Sequence, residues 1–194
     1  MPRQKEFDVD AVCERALNLF WRRGYEATSV NDLVDELGIG KASLYAAFGA
    51  KHELYLTALR RYVERSATRV VTELGSGASP VEAVRALVNR YADRAANQGE
   101  LGCLVVSAAV ELMPSDPEVA RLVERSWDTI EVALTVTLRR AVAAGELTRT
   151  SDPAALAAFL LTFLQGVRVI GKRRDTAARL RAAAATALRV LDAS

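Results

Sequence analysis

An all-α fold is predicted by three observations. Apolar residues recur at helical spacing along almost the whole chain, and no stretch alternates apolar and polar residues as a half-buried strand would. Start and stop signals bracket segments of helical length. The composition, 51% hydrophobic and 26% charged over 194 residues, suits a globular chain with one ordinary domain or a small one joined to a larger.

Nine helices can be placed. The first, over 8–23, carries Val9, Val12, Ala16, Leu19 and Phe20 on one face and stops at Gly24. The second covers 29–37, with Thr28 or Ser29 as N-cap and Gly38 as its stop. The third is short, 41–47. The fourth, 51–74, carries a long apolar stripe from Leu54 through Tyr62, Val63 and Val70 to Leu74. Gly75-Ser76-Gly77-Ala78 is a candidate joint. Ser79-Pro80-Val81-Glu82 then has the capping-box pattern with Pro at the first helical position, and opens the fifth helix to 97. The sixth is expected over 100–113. Asp116-Pro117 opens the seventh, which Gly145 stops; Asp152-Pro153 opens the eighth, which ends near Gly171. The ninth is expected over 175–191. Leu156, Phe159, Leu160, Phe163, Leu164 and Val167 make the eighth helix apolar over a wide arc, and the ninth adds Leu180, Leu188 and Leu191 among alanines. Surfaces of this kind are core or subunit interface, and an interface through 153–191 is expected.

Net charge is only +2, so the chain as a whole is not a polycation. Even over residues 1–65, ten Lys or Arg face ten Asp or Glu. The window 37–52, however, holds Lys41, Lys51 and His52 and no acid. No basic-then-apolar leader opens the chain, and the uncharged run 153–167 is shorter than the about 20 residues that span a bilayer, so a cytoplasmic protein without membrane contact is expected. Cys13 and Cys103 lie far apart without metal-ligand spacing. No histidine–carboxylate or cysteine–histidine pairing and no phosphate-cradling glycine loop is evident. Catalytic residues, metals and cofactors are therefore not expected, and function is sought in binding.

The acid-free window coincides with a turn that has its own logic. Gly38 is able to adopt the left-handed conformation that ends one helix. Ile39 points back to the core, and Gly40 leaves the next helix's first amides open. Leu44 and Phe48, four apart, face inward. Lys41, Ala42, Ser43, Tyr45 and Ala46 are then left outward on a helix slim enough for a major groove about 12 Å wide. Lys41 suits a phosphate or guanine edge, Ser43 and Tyr45 suit phosphates, and Ala42 suits a thymine methyl. Lys51, at the start of the fourth helix, is placed to meet the DNA backbone.

Gly24-Tyr25-Glu26-Ala27-Thr28-Ser29-Val30, then Leu37-Gly38-Ile39-Gly40-Lys41-Ala42-Ser43-Leu44-Tyr45, then Phe48 and Lys51, resemble the amino-terminal DNA-binding domain of the TetR/AcrR family of transcriptional regulators. The likeness spans residues 8–59. It departs at Gly40, where the family usually has a hydroxyl N-cap, and at Ala46-Ala47, where a polar residue is common. The resemblance implies a homodimeric, all-helical repressor of palindromic, double-stranded operator DNA. Residues 1–50 would form the three-helix helix-turn-helix head, 51–74 a connecting helix, and 75–194 the ligand-binding and dimerisation domain. The DNA contacts so implied are Thr28, Ser29, Lys41, Ala42, Ser43, Tyr45, Ala46 and Lys51. Tyr91, Cys103, Met113, Trp127, Ile130, Phe159 and Phe163 are candidate pocket residues, bulky or apolar and on core-facing stripes. With no charged residue obviously placed for recognition, an apolar or aromatic effector is expected. Cys103, in the apolar opening of the sixth helix, suits either a buried small hydrophobe or a redox- or electrophile-sensing thiol.

Overall fold

The computed structural model describes residues 7–98, 102–173 and 175–192. Its elements run α1 (Val9–Arg23), α2 (Val30–Leu37), α3 (Lys41–Phe48), α4 (Lys51–Gly75), α5 (Pro80–Gln98), α6 (Leu104–Glu111), α7 (Pro117–Ala143), α8 (Pro153–Ile170) and α9 (Ala177–Leu188), closed by a 3-10 turn over Arg189–Leu191. Among the described residues there is no strand.

Local chemistry sets the ends of these helices. The Asp8 carboxylate caps α1 by accepting from the amides of Asp10 and Ala11 at 2.9 and 3.2 Å. Ser29 and Asp32 form a reciprocal capping box on α2. The hydroxyl and amide of Ser29, with Arg23, draw the Asp32 carboxyl down to about 2. That folded value lies below the ordinary 3.8, so this contribution is complete above 3.8 and is lost as pH falls toward 2. Gly38 ends α2 at φ 67°, ψ 26°; a Cβ there would meet open space, so the backbone conformation alone calls for glycine. The box expected at α5 takes another form. Ser79 Oγ accepts from the Glu82 amide at 3.1 Å, but Glu146 completes the cap by accepting from Ser79 Oγ and the Val81 amide, each at 2.9 Å.

Two buried clusters organise the packing. One joins α1, α2, Leu44 of α3 and the first half of α4 with Cys103, α6 and Val119 and Val123 of α7. The other joins Val70 and Leu74 of α4 with α5, the rest of α7, α8 and α9. The first three helices therefore have no core of their own. They share one with α6 and the first turns of α7, while α4 and α7 run through both clusters.

Two helices differ from expectation. Gly102, at φ 58°, cannot continue a helix, so α6 starts at Leu104 with Cys103 as N-cap and ends at Glu111; residues 100 and 101 lie outside the described ones. Asp175, at φ 56°, delays the start of α9 to Ala177. In length and composition α8 would suffice to cross a membrane, but Ala157, Leu160, Leu164 and Val167 are buried in the second cluster. The apolar arc of α8 is thus divided between two uses. Its outward stripe is Ala155, Phe159, Thr162, Gly166 and Val169, with Ile170 beside it. Leu180, Leu188 and Leu191 are likewise core, and Ala178, Ala182 and Ala185 mark the exposed side of α9.

Candidate nucleic-acid interface and internal cavity

Helix α3 is held by its buried Leu44 and by half-buried Phe48 and Ile39, which pack on the first cluster. Lys41, Ala42, Ala46 and Ala47 are exposed, Ser43 is half-buried, and Tyr45 is 48% exposed. Gly40 caps the helix without a side-chain hydrogen bond, leaving its first amides open. An eight-residue helix is about 12 Å long, and its outward side carries small residues, one lysine and one phenol.

Of the flanking residues, Thr28 is arranged differently from expectation. Thr28 is fully buried and its hydroxyl donates to the Gly24 carbonyl at 2.6 Å, so its side chain is spent inside the fold. Ser29 is exposed at the α2 N-terminus, with its hydroxyl engaged in the capping box. Lys51 is half-buried, its Nζ 4.0 Å from the Tyr25 ring centroid. Tyr25 in turn lies 4.9 Å from Tyr55, whose ring meets Phe20 edge-on at 5.1 Å. This stack fastens the start of α4 to the loop after α1.

Two carboxylates tie the same region to the rest of the molecule. Glu111, at the end of α6, accepts from the amides of Tyr25 at 3.1 Å and Glu26 at 2.8 Å. Gly24 permits this approach: at φ 86° it is strained for other residues, and a Cβ would stand 3.1 Å from Glu111 Oε2. Asp116, the N-cap of α7, meets His52 Nε2 at 2.6 Å. Burial favours the neutral Asp116 acid, but His52 and the amides of Val119 and Glu118 outweigh it and hold the carboxyl below its usual range. His52, Glu53 and Glu118 bring possible ligand atoms within 4.8 Å, but both carboxylates are exposed, His52 Nε2 is engaged by Asp116 and Glu118 lies 3.5 Å from Arg121. Removing both acceptors with Glu111→Ala is expected to cost about 1–3 kcal/mol of stability, read by urea denaturation, and Glu111→Gln, which keeps one acceptor, less.

A cavity of about 280 Å³ lies where α1, α4, α5, α8 and the residues before α6 converge. Of the candidate pocket residues, Tyr91 and Cys103 line it. Met113 and Trp127 instead pack on the first cluster, Ile130 is core of the second, and Phe163 packs against that second cluster. Phe159 points outward, 43% exposed. These five follow helical stripes that fill cores or face solvent, and periodicity alone does not separate those uses. The wall also holds charge that was not placed from sequence: Arg65, Arg69, Arg90, Arg94 and Arg168 all line the cavity. Their spacing was visible as i, i+4 pairs on α4 and α5 and as the lone ionisable residue of α8. Trp21 and Tyr62 complete an aromatic side, with ring centroids 5.1 Å apart. Cys103 is buried and its sulfur lies 3.7 Å from the Tyr62 hydroxyl. Burial and Cys103 push the Tyr62 phenol well above its ordinary value, so it stays a neutral donor.

Comparison with known proteins agrees with this geometry. Residues 12–58 match the family model described as bacterial regulatory proteins, tetR family, and residues 80–188 match the tetracyclin repressor-like C-terminal domain. The chain is 36% identical over 197 aligned residues to the uncharacterized HTH-type transcriptional regulator YezE of Bacillus subtilis (strain 168), covering 99% of this chain and 100% of that one. It is 32% identical to the HTH-type transcriptional repressor ComR of Escherichia coli (strain K12), covering 97% and 90%. Among solved structures, a cysteine mutant of the TetR family regulator CifR, complexed with 26-bp double-strand operator DNA, superposes with TM-score 0.85 at 33% identity, covering 96% of this chain and 98% of that one.

Proposed function

We propose that this chain, which belongs to the tetR family of bacterial regulatory proteins, is a ligand-responsive transcriptional repressor that grips a palindromic operator as a homodimer. The observation that carries this reading is the outward side of α3, small, acid-free and fixed from behind by Leu44. The likeness to CifR, solved on operator DNA, and to the repressor ComR supports it. Lys41 pairs with a phosphate or guanine edge, Ser43 and Tyr45 donate to phosphates, and Ala42 and Ala46 allow close approach to base edges. Lys51 and the exposed Ser29 border this surface, with Lys51 oriented by Tyr25.

The outward stripes of α8 and α9 pair with those of a second copy. Two α3 helices then stand about one DNA turn apart, roughly 34–36 Å. Such a regulator works in the cytoplasm, where the operator is.

Helix α6 connects cavity and head. Cys103, at its start, lines the cavity, and Glu111, at its end, holds the loop before α2. Trp21 links the cavity to α1 directly. A ligand that fits one arrangement of these walls better than another shifts the spacing of the two heads by its differential affinity, typically about 1–3 kcal/mol. The thiol-switch alternative at Cys103 is set aside: the thiol is buried and serves as cavity wall.

The test is a gel-shift titration over a range of salt concentrations. Lys41→Ala is expected to weaken operator binding and to reduce the salt slope by about one phosphate equivalent per subunit. An unchanged slope with unchanged affinity contradicts the role of Lys41.

A further inference from the structure

The charge around the cavity is unbalanced. Among the described residues Glu14 is the one acid in its wall, and it pairs with Arg65. Arg90 pairs with Glu73. Among the described residues, Arg69, Arg94 and Arg168 have no carboxylate partner.

Arg168 is the one of the three that meets an aromatic ring. It comes from an otherwise uncharged helix, its guanidinium lies over the Tyr91 ring at 4.6 Å, and its one hydrogen bond is to Gln165 Oε1 at 3.3 Å. A guanidinium carries five donors, so most of them have no protein acceptor among the described residues. Gln165 Nε2, on the same side chain that contacts Arg168, is buried and also lacks a partner. The pKa of Arg90 is lowered, chiefly by burial; Tyr91 opposes this, and Arg94, Arg69 and Arg168 each add a smaller lowering. Like charges gathered around a hollow repel one another, and an anion placed among the half-buried Arg94 and Arg168 relieves that repulsion.

The remaining wall carries an aromatic and apolar part, with Trp21, Tyr62 and Tyr91 beside Leu17 and Val70, and two neutral polar side chains, Asn18 and Ser66. An apolar cavity of about 150 Å³ is enough for benzene. The volume here, about 280 Å³, therefore fits a single ring carrying a substituent.

We propose that this cavity takes a small organic anion, a carboxylate on a flat apolar body, with the carboxylate between Arg168 and Arg94 and the ring against Tyr62 and Tyr91. The inference rests on the reading of the chain as a ligand-responsive regulator, and it replaces an uncharged effector with a charged one. Arg168 supplies paired N–H donors in the geometry that a carboxylate accepts.

The test uses DNA-free full-length protein, so that its outcome is independent of operator binding. Benzoate and phenylacetate are titrated calorimetrically at millimolar concentration beside benzamide, phenylacetamide and benzylamine. The carboxylates are expected to saturate one site per chain and to bind about tenfold to a hundredfold more tightly than the amides. Arg168→Met is expected to abolish that preference. Arg94→Gln, at a half-buried side chain, is expected to weaken the carboxylates about tenfold with the melting temperature unchanged. Equal binding of amides and carboxylates, preference for benzylamine, absence of a saturable carboxylate site, or wild-type affinity in Arg94→Gln overturns the proposal. Failure to shift operator DNA with intact carboxylate binding counts against the repressor reading alone.

Discussion

Phe159→Asp is expected to convert a dimer into monomers and to lower operator affinity by at least about a hundredfold. Phe159 is 43% exposed at the centre of the outward stripe of α8. In a two-fold interface the same patch is used by both subunits, so one substitution brings two carboxylates into the contact. Each would be desolvated without a partner cation on that stripe, whose neighbours are Ala155, Thr162, Gly166 and Val169. The fold of the single chain is not at risk, because Leu160 and Leu164, which anchor α8 in the core, are untouched. A monomer binds each half-site alone and forfeits the effective concentration that linkage supplies, commonly a factor of about 10²–10⁴. Sedimentation beside gel-shift titration reads both effects. A dimer that persists with Phe159→Asp would move the interface off α8.

The second large effect is expected from Ala42→Glu. Ala42 is exposed in the first turn of α3, a helix without an acid there and without a side-chain cap. A carboxylate at a helix N-terminus meets the positive end of the dipole and is favourable for the folded chain by about 0.3–1 kcal/mol. Against DNA the same carboxylate faces phosphates in both half-sites, where like charges cost several kcal/mol. The substitution is therefore expected to leave the melting temperature unchanged or slightly raised while reducing operator affinity by two orders of magnitude or more. Opposite signs in the two measurements identify α3 as the reading element. Loss of both together would point to misfolding, and retention of both to a different DNA-facing surface.

How far the sequence revealed this molecule depended on whether a feature was local. Helix α3 was legible because Gly38, Gly40 and Leu44 act through neighbours in the chain. The paired starts at Asp116-Pro117 and Asp152-Pro153 were legible for the same reason: both aspartates accept from amides of the following turn. Thr28 was misplaced because a hydroxyl beside a helix start serves DNA or its own backbone equally well in sequence, and here the Gly24 carbonyl takes it. Helix α8 is apolar nearly all round, so periodicity could not say that Leu160 and Leu164 face the core and Phe159 faces out.

The cavity was the least legible feature. Its walls come from segments far apart in the chain, and the arginines of α4 and α5 follow the i, i+4 pattern of any solvated helix face. Only packing α1 and α8 around them turns that pattern into a charged hollow. Glu111 was equally silent in sequence, since its partners Tyr25 and Glu26 lie more than eighty residues away and offer backbone amides rather than side chains.

The most direct measurement is selection of bound sites from random duplexes by the purified protein at low ionic strength. Two α3 helices carried by a symmetric pair should enrich an inverted repeat whose half-site centres lie about one helical turn apart, roughly 10–10.5 base pairs or slightly more. Enrichment of a lone, unrepeated site occupied by a single chain, or no enrichment over the starting pool, would contradict the twinned reading helix.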